Sequence, residues 1–297
     1  MKAGAARGAR GTRAARHAAR AKGKRRFAEG MDRQETAGND LRELTAAAGS
    51  YLRESRSFAF SIVSMLPLIV LYHCGIVQSG YGQRNLAEVW LTGPLSVIGV
   101  EAAQVLNVAL IAAVVAVLWR SPRSEWLHWR TAAIMVAEAC LYAAALYKGV
   151  PALAGIVDQR ASRLIFAIGL GRVAPGIGPA CLAAIGRVAP VLLALGAGVY
   201  EELLFRLLMV GGGAWALTRA LGWTAFRSTL VMLIVSSVCF AAIHHIGPLG
   251  EPFGSYNFIF RTLCGLVLGI VFLGRGLGVA VWTHAIFNSL VLLQGAG

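Results

Sequence analysis

The sequence predicts an all-α protein, a polytopic bundle of seven or eight transmembrane helices that follows a basic tail. Of its 297 residues, 57% are hydrophobic and only 14% are charged, whereas soluble domains carry roughly 25% charged residues. Long apolar runs recur along the chain, each close to the ~20 residues that a spanning helix needs. These observations exclude a soluble globular enzyme.

Residues 1–57 are predicted to form a basic, largely disordered cytoplasmic tail. Residues 1–26 hold ten basic and no acidic residues, within a chain whose net charge is +14. An Ala/Arg/Gly-rich segment without an apolar face buries too little surface to fold alone. Attraction to anionic lipid accounts for this charge better than nucleic-acid binding does. Met1 and Met31 are both candidate starts.

Residues 58–297 form the predicted transmembrane domain. Six apolar runs are candidate spanning helices: 58–77, 94–118, 131–150, 229–246, 257–274 and 278–294. A seventh spanning helix is predicted near 190–216, after a short or re-entrant helix near 176–187, because Gly and Pro interrupt the segment between them. Gly265 and Gly269 form a G-x-x-x-G helix-packing motif.

The orientation in the membrane is predicted from the basic residues of the short connections. The tail and the 119–130 loop are basic and are expected to face the cytoplasm, whereas the 78–93 loop has only Arg84 and is expected outside. The abundance of Ala, Arg and Gly is typical of a GC-rich bacterial gene. We therefore expect a multi-pass protein of the inner membrane with a cytoplasmic N-terminus.

Three of the predicted helices concentrate polar side chains, and each such side chain costs about 2.5–3.5 kcal/mol to insert. They are Glu201, Glu202 and Arg206 on the first helix, His244 on the second, and His284 with Asn288 on the third. At 100° per residue, Glu202 and Arg206 lie about 40° apart and are predicted to form an ion pair. Glu201 lies about 140° from Arg206 and is expected to face the bundle.

These polar faces suit hydrolysis if all three turn inward to one site. A buried carboxylate and an imidazole can together take a proton from water, and His and Asn donors can stabilise an oxyanion. Because G-x-S-x-G is absent, water is the expected nucleophile. The five cysteines lie in apolar segments without C-x-x-C spacing, which predicts neither a disulfide framework nor a zinc cluster.

At these residues the chain resembles a known family. E-E-x-x-x-R (Glu201–Arg206), F-x-x-x-H (Phe240–His244) and H-x-x-x-N (His284–Asn288), in this order on successive helices, are similar to the motifs of the CPBP family. That family comprises the CAAX prenyl proteases and their bacterial relatives and is also called Abi. The resemblance covers about residues 185–295.

The resemblance implies an intramembrane endopeptidase of glutamic type. Carried over, Glu201 with His244 activates water, and His284 with Asn288 forms the oxyanion hole. Glu202, Arg206 and Phe240 are supporting residues. No cofactor is expected. Zinc bound by Glu201, His244 and His284 is the less favoured alternative, and the sequence lacks H-E-x-x-H.

The expected partners are the lipid bilayer and a membrane-embedded or membrane-proximal protein substrate, without nucleic acid. The sequence leaves open whether that substrate is prenylated, on which side the site opens, and the oligomeric state. Two other functions are also left open. One is a proton-coupled transporter, which predicts inverted repeats that the sequence does not display. The other is a non-catalytic membrane scaffold or immunity-type protein.

Overall fold

The computed structural model describes most of the membrane domain. The described residues are 42–78, 102–121, 128–167, 188–247 and 250–294, with single positions at 20, 22, 31, 39, 40 and 88. The chain divides into two compact units, residues 1–52 and 53–297. In the first unit, residues 42–52 are helical. The re-entrant helix predicted near 176–187 lies outside the described residues.

The second unit is helical, and its described residues contain no strand, which confirms the all-α prediction. Its helices are α1 (Phe58–Gln78), α2 (Ala102–Arg120), α3 (Trp129–Ala167), α4 (Val188–Glu202), α5 (Gly213–Leu221), α6 (Ala225–Ile243), α7 (Ser255–Arg275) and α8 (Leu277–Gln294). A π-helical segment, Leu203–Gly212, joins α4 to α5. The predicted helix near 190–216 therefore exists as three consecutive pieces.

Four described helices, α1, α3, α6 and α7, are long and apolar enough to cross a membrane. Helix α8 is also apolar but slightly shorter. These helices make the chain a multi-pass membrane protein, while the number of seven or eight membrane helices stays a prediction.

Helix α3 is much longer than the predicted run at 131–150. It has 39 residues and continues through Pro151 to Ala167. We expected the helix to end before Pro151, but it continues through this residue. Prolines are tolerated inside membrane helices because neighbouring groups satisfy the freed backbone carbonyl. At 1.5 Å per residue, α3 is about 58 Å long, nearly twice the ~30 Å hydrocarbon core.

Helix α8 lies at the centre of the bundle, where it packs against α1, α3, α4 and α7. Val279, Ala280 and Val281 in its first half are fully buried. A Cβ atom added at Gly198 of α4 would come within 2.7 Å of the Ala285 backbone nitrogen. Because this glycine lets the two backbones approach, α4 and α8 meet directly beside their polar residues.

Helices α6 and α7 pack closely through the predicted G-x-x-x-G motif. A Cβ at Gly265 would lie 3.0 Å from Cα of Ser237, and one at Gly269 would lie 2.2 Å from Cδ1 of Leu233. The missing side chains thus bring α7 against the face of α6, as the motif predicts.

Candidate active site

The predicted ion pair between Glu202 and Arg206 is present at the end of α4. Nη1 of Arg206 lies 3.0 Å from Oε1 of Glu202, and both side chains are fully buried. The guanidinium has a second partner on α7, because Nη2 donates to the Gly265 carbonyl oxygen at 3.3 Å. Arg206 therefore connects its own helix to α7.

The helical geometry changes immediately after the two glutamates. Residues Leu203–Gly212 are π-helical, and the N–H of Gly213 points to the carbonyl of Leu208, five residues back. Our prediction of an uninterrupted α-helix at 100° per residue is wrong for this segment. π-Helices are rare and often occur at functional sites. Apart from the three glycines at 211–213, the residue pattern carries no signal for one.

His284 of α8 lies between the two glutamates. Its Nδ1 is 2.7 Å from Oε1 of Glu202, and its Nε2 is 3.7 Å from Oε2 of Glu201. Glu201 and His284 are almost fully buried. Sequence reasoning paired His284 with Asn288 and missed the contact with Glu202, because spacing within one helix carries no information about which residue of another helix lies opposite.

The buried cluster contains more acidic than basic side chains. Two carboxylates, those of Glu201 and Glu202, are buried together with one guanidinium, that of Arg206. A net charge is strongly disfavoured in a low-dielectric interior. The imidazole of His284, with Nε2 3.7 Å from Oε2 of Glu201, is the other basic group that faces these carboxylates.

The ring of Phe240 contacts three of the predicted site residues. The guanidinium carbon of Arg206 lies 4.7 Å from the ring centroid, a cation–π distance. The rings of His244 and His284 lie edge-on to it, with centroids at 5.0 and 5.8 Å. Phe240 itself is buried, and its ring lies in contact with all three of these polar side chains.

His244 lies at the end of α6, where it forms the C-cap. Its Nδ1 is 2.7 Å from the Phe240 carbonyl oxygen, an arrangement in which Nδ1–H donates and Nε2 keeps its lone pair. The carboxylate of Glu201 interacts electrostatically with this ring. No direct hydrogen bond joins Glu201 to His244 among the described residues, so a water between them is the geometry that acid–base chemistry requires.

Comparison with known proteins gives one match in this region. Residues 185–290 match the family model described as type II CAAX prenyl endopeptidase Rce1-like. This segment is similar to that family, and the name Rce1-like domain denotes residues 185–290. The match confirms the resemblance to the CAAX protease family that the three motifs predict. No curated protein and no solved structure matches the chain.

The Rce1-like domain contains every residue of the site and spans α4, the π-helical segment, α5, α6, α7 and most of α8. At the level of the family, the match supports a CAAX-type membrane protease. It covers 106 of the 297 residues, and helices α1 to α3 lie outside it.

Asn288 is the predicted site residue that the described contacts do not join to the others. It lies one turn after His284 on α8 and is half-buried. No hydrogen bond of its side chain is found among the residues that the structure describes. Its amide is therefore free, within that part of the chain, to donate to a ligand in the Rce1-like domain.

The Rce1-like domain offers no evident metal centre in its described part. No three His, Cys, Asp or Glu side chains converge there as a set that could hold a metal ion. Both ring nitrogens of His284 face glutamates, Nδ1 facing Glu202 and Nε2 facing Glu201.

Proposed function

We propose that the protein is an intramembrane endopeptidase that hydrolyses a peptide bond in or near the bilayer. The observation that carries this proposal is the placement of His284 between Glu201 and Glu202, with Arg206 behind Glu202. This arrangement holds a carboxylate and an imidazole in a buried site, as acid–base hydrolysis requires. The family match supports the same reaction class.

In the proposed first step, Glu201 and His244 activate a water molecule. The water lies between the Glu201 carboxylate and the Nε2 lone pair of His244, and one of these groups takes its proton as the oxygen attacks the peptide carbonyl. Proton transfer to a positioned base typically raises the rate of such a step about 10²- to 10⁴-fold.

The second step is collapse of the tetrahedral intermediate. His284, protonated at Nε2, and the amide of Asn288 donate hydrogen bonds to the oxyanion. The carbon–nitrogen bond then breaks, and the proton taken from water passes to the leaving amine. Glu202 holds the imidazolium of His284 through Nδ1, while Arg206 balances the charge of Glu202.

The substrate of this reaction is a membrane-embedded or membrane-proximal protein. The site lies within helices whose exposed side chains include many large apolar residues, which favours a substrate that is itself in or at the membrane. We also propose that the protein resides in the bacterial inner membrane with its N-terminus in the cytoplasm, in accord with the basic tail. Modification of a single cysteine added to the tail, in intact and in opened cells, tests this orientation.

The catalytic proposal is tested with purified protein in proteoliposomes and a library of membrane-anchored peptides. We expect Glu201→Gln to lower cleavage about 10²- to 10⁴-fold, whereas Glu43→Gln, at an exposed glutamate, leaves it unchanged. Equal cleavage by Glu201→Gln and the unaltered protein would remove Glu201 as the base. If a chelator stops cleavage and Glu201→Gln does not, the reaction depends on a metal and the proposal is wrong.

The same assay separates the proposal from its two alternatives. A non-catalytic scaffold would produce no more cleavage than empty vesicles with any peptide in the library. A proton-coupled transporter would acidify the vesicle interior on addition of solute, again without cleavage. Either result contradicts the endopeptidase proposal.

A further inference from the structure

One face of α6 is turned toward the candidate site. Ser236, Phe240 and His244 follow each other at intervals of four residues and so share a helix face. Phe240 contacts Arg206, and His244 is a proposed base. Ser236 has no part in the mechanism above, although it is only 2% exposed. A buried hydroxyl on this face requires a hydrogen-bond partner.

The partner of Ser236 is the backbone of the π-helical segment. Its Oγ donates to the carbonyl oxygen of Phe205 at 2.7 Å, and these two residues are 31 positions apart in the chain. Phe205 lies between Glu202 and Arg206 and is itself buried. The hydrogen bond is thus made to the turn that brings Arg206 onto Glu202.

The π-helical segment needs support from outside itself. Its i→i+5 bonding is rare relative to the α-helix that flanks it on both sides, so relaxation toward α-helix is its natural alternative. Glu202 and Arg206 are four residues apart and stay close in an α-helix as well, so such relaxation would instead turn Arg206 relative to α7 and disturb its hydrogen bond with the Gly265 carbonyl. The described contacts hold the segment at adjacent residues, at Phe205 through Ser236 and at Arg206 through the Gly265 carbonyl.

We infer that Ser236 is a positioning residue that holds the π-helical turn and thereby the placement of Arg206 against α7, behind Glu202 and His284. The inference rests on the proposed function for its catalytic consequence. It predicts that the hydroxyl of Ser236 matters through the carbonyl it binds and not through burial alone.

The neighbouring residue provides a matched control. Ser237 is also 2% exposed, and its Oγ also donates at 2.7 Å, but to Leu233 in the same helix. Ser236→Ala and Ser237→Ala therefore remove the same atom, at the same burial, from hydrogen bonds of the same length. Only the first bond reaches the π-helical segment. Ser236→Thr keeps a hydroxyl at this position.

The first experiment is hydrogen–deuterium exchange of these variants in nanodiscs, read in the peptides that cover residues 203–213. We expect Ser236→Ala to accelerate exchange in that segment at least about threefold, and Ser237→Ala and Ser236→Thr to leave it near the rate of the unaltered protein. Equal rates in both alanine variants would overturn the inference. The comparison is made within residues 203–213, because a general loss of stability would affect both alanine variants alike.

The second experiment measures cleavage. We expect Ser236→Ala to lower kcat about 10- to 100-fold at similar KM, because small displacements of reacting groups carry costs of that size. Ser236→Thr should restore most of the rate. Equal kcat in the two alanine variants overturns the positioning role. If the unaltered protein cleaves nothing, the proposed function fails, and the exchange comparison still establishes or rejects the hold on the π-helical segment.

Discussion

His284 and Glu202 form a buried hydrogen-bonded pair across two helices, with Nδ1 of the histidine 2.7 Å from Oε1 of the glutamate. The same oxygen faces Arg206 at 3.0 Å. Glu202 is therefore shared between a cation of its own helix and an imidazole of α8. We propose that Glu202 orients the ring of His284 in addition to pairing with Arg206.

The first prediction concerns the charge balance of this pair. Arg206→Met leaves Glu202 without its guanidinium, and we expect a loss of about 3–5 kcal/mol in unfolding free energy. Glu202→Gln combined with Arg206→Met removes both partners of the pair and should recover most of that loss, because neither charge of the pair is left buried alone. Cleavage should stay low in the double variant. Denaturant unfolding in micelles measures the cycle, and strictly additive losses would contradict it.

The second prediction concerns the aromatic ring between the polar groups. Phe240→Leu keeps apolar volume but removes the cation–π contact with Arg206, so we expect a cost of about 0.5–2 kcal/mol together with slower cleavage. Phe226→Leu is the control, since Phe226 is 79% exposed on the same helix. Unfolding free energies and kcat measure both variants. A loss of equal size in the two would show that the ring acts by bulk alone.

The third prediction tests the close packing of α6 and α7. Gly269→Ala places a Cβ within 2.2 Å of Leu233, whereas Gly274→Ala on the same helix meets nothing within 4 Å. We expect the first change to cost about 1–3 kcal/mol through overpacking. The second should be neutral or slightly stabilising, because Ala favours helix over Gly. Thermal unfolding measures both, and similar midpoints would contradict the packing.

The fourth prediction concerns a buried carboxylate outside the Rce1-like domain. Glu88 belongs to the 78–93 loop, which we predicted to lie on the outer side of the membrane. It is nevertheless only 2% exposed and accepts a hydrogen bond from Tyr72. The Tyr72 ring contacts Tyr200, which directly precedes Glu201. We expect Tyr72→Phe to cost about 1–3 kcal/mol, the usual effect of leaving a buried acceptor without its donor.

Tyr142→Phe is the control for this experiment, because Tyr142 also donates to a glutamate, Glu138, but within a partly buried pair of its own helix. Unfolding free energy is measured for both variants. A larger loss in Tyr142→Phe than in Tyr72→Phe would contradict the importance of the buried pair.

Features that depend on residues close in the chain were predictable. The apolar runs follow from composition and length, and α1, α6, α7 and α8 begin and end within four residues of their predicted bounds. The Glu202–Arg206 pair follows from a spacing of four on one helix, and the fit of α6 against α7 follows from two glycines. Each of these depends on the geometry of a single helix.

The length of α3 was not predictable in this way. Its apolar run is interrupted by Pro151, and local propensity favours a break there. Inside a membrane protein, the cost of a proline is offset by its surroundings, which the sequence does not display. The π-helical segment was missed for a similar reason, since the groups that hold it, Ser236 and the Gly265 carbonyl, come from other helices.

By itself, the sequence determined that this is a helical membrane protein and which few polar side chains its helices bury. Only the tertiary structure decided that His284 meets Glu202, that Phe240 contacts the charged and imidazole groups, and that Glu88 is buried. The physical reason lies in the contact between Gly198 and Ala285, where two backbones approach closely. Periodicity tells which residues share a face of one helix, but packing between helices sets which faces meet.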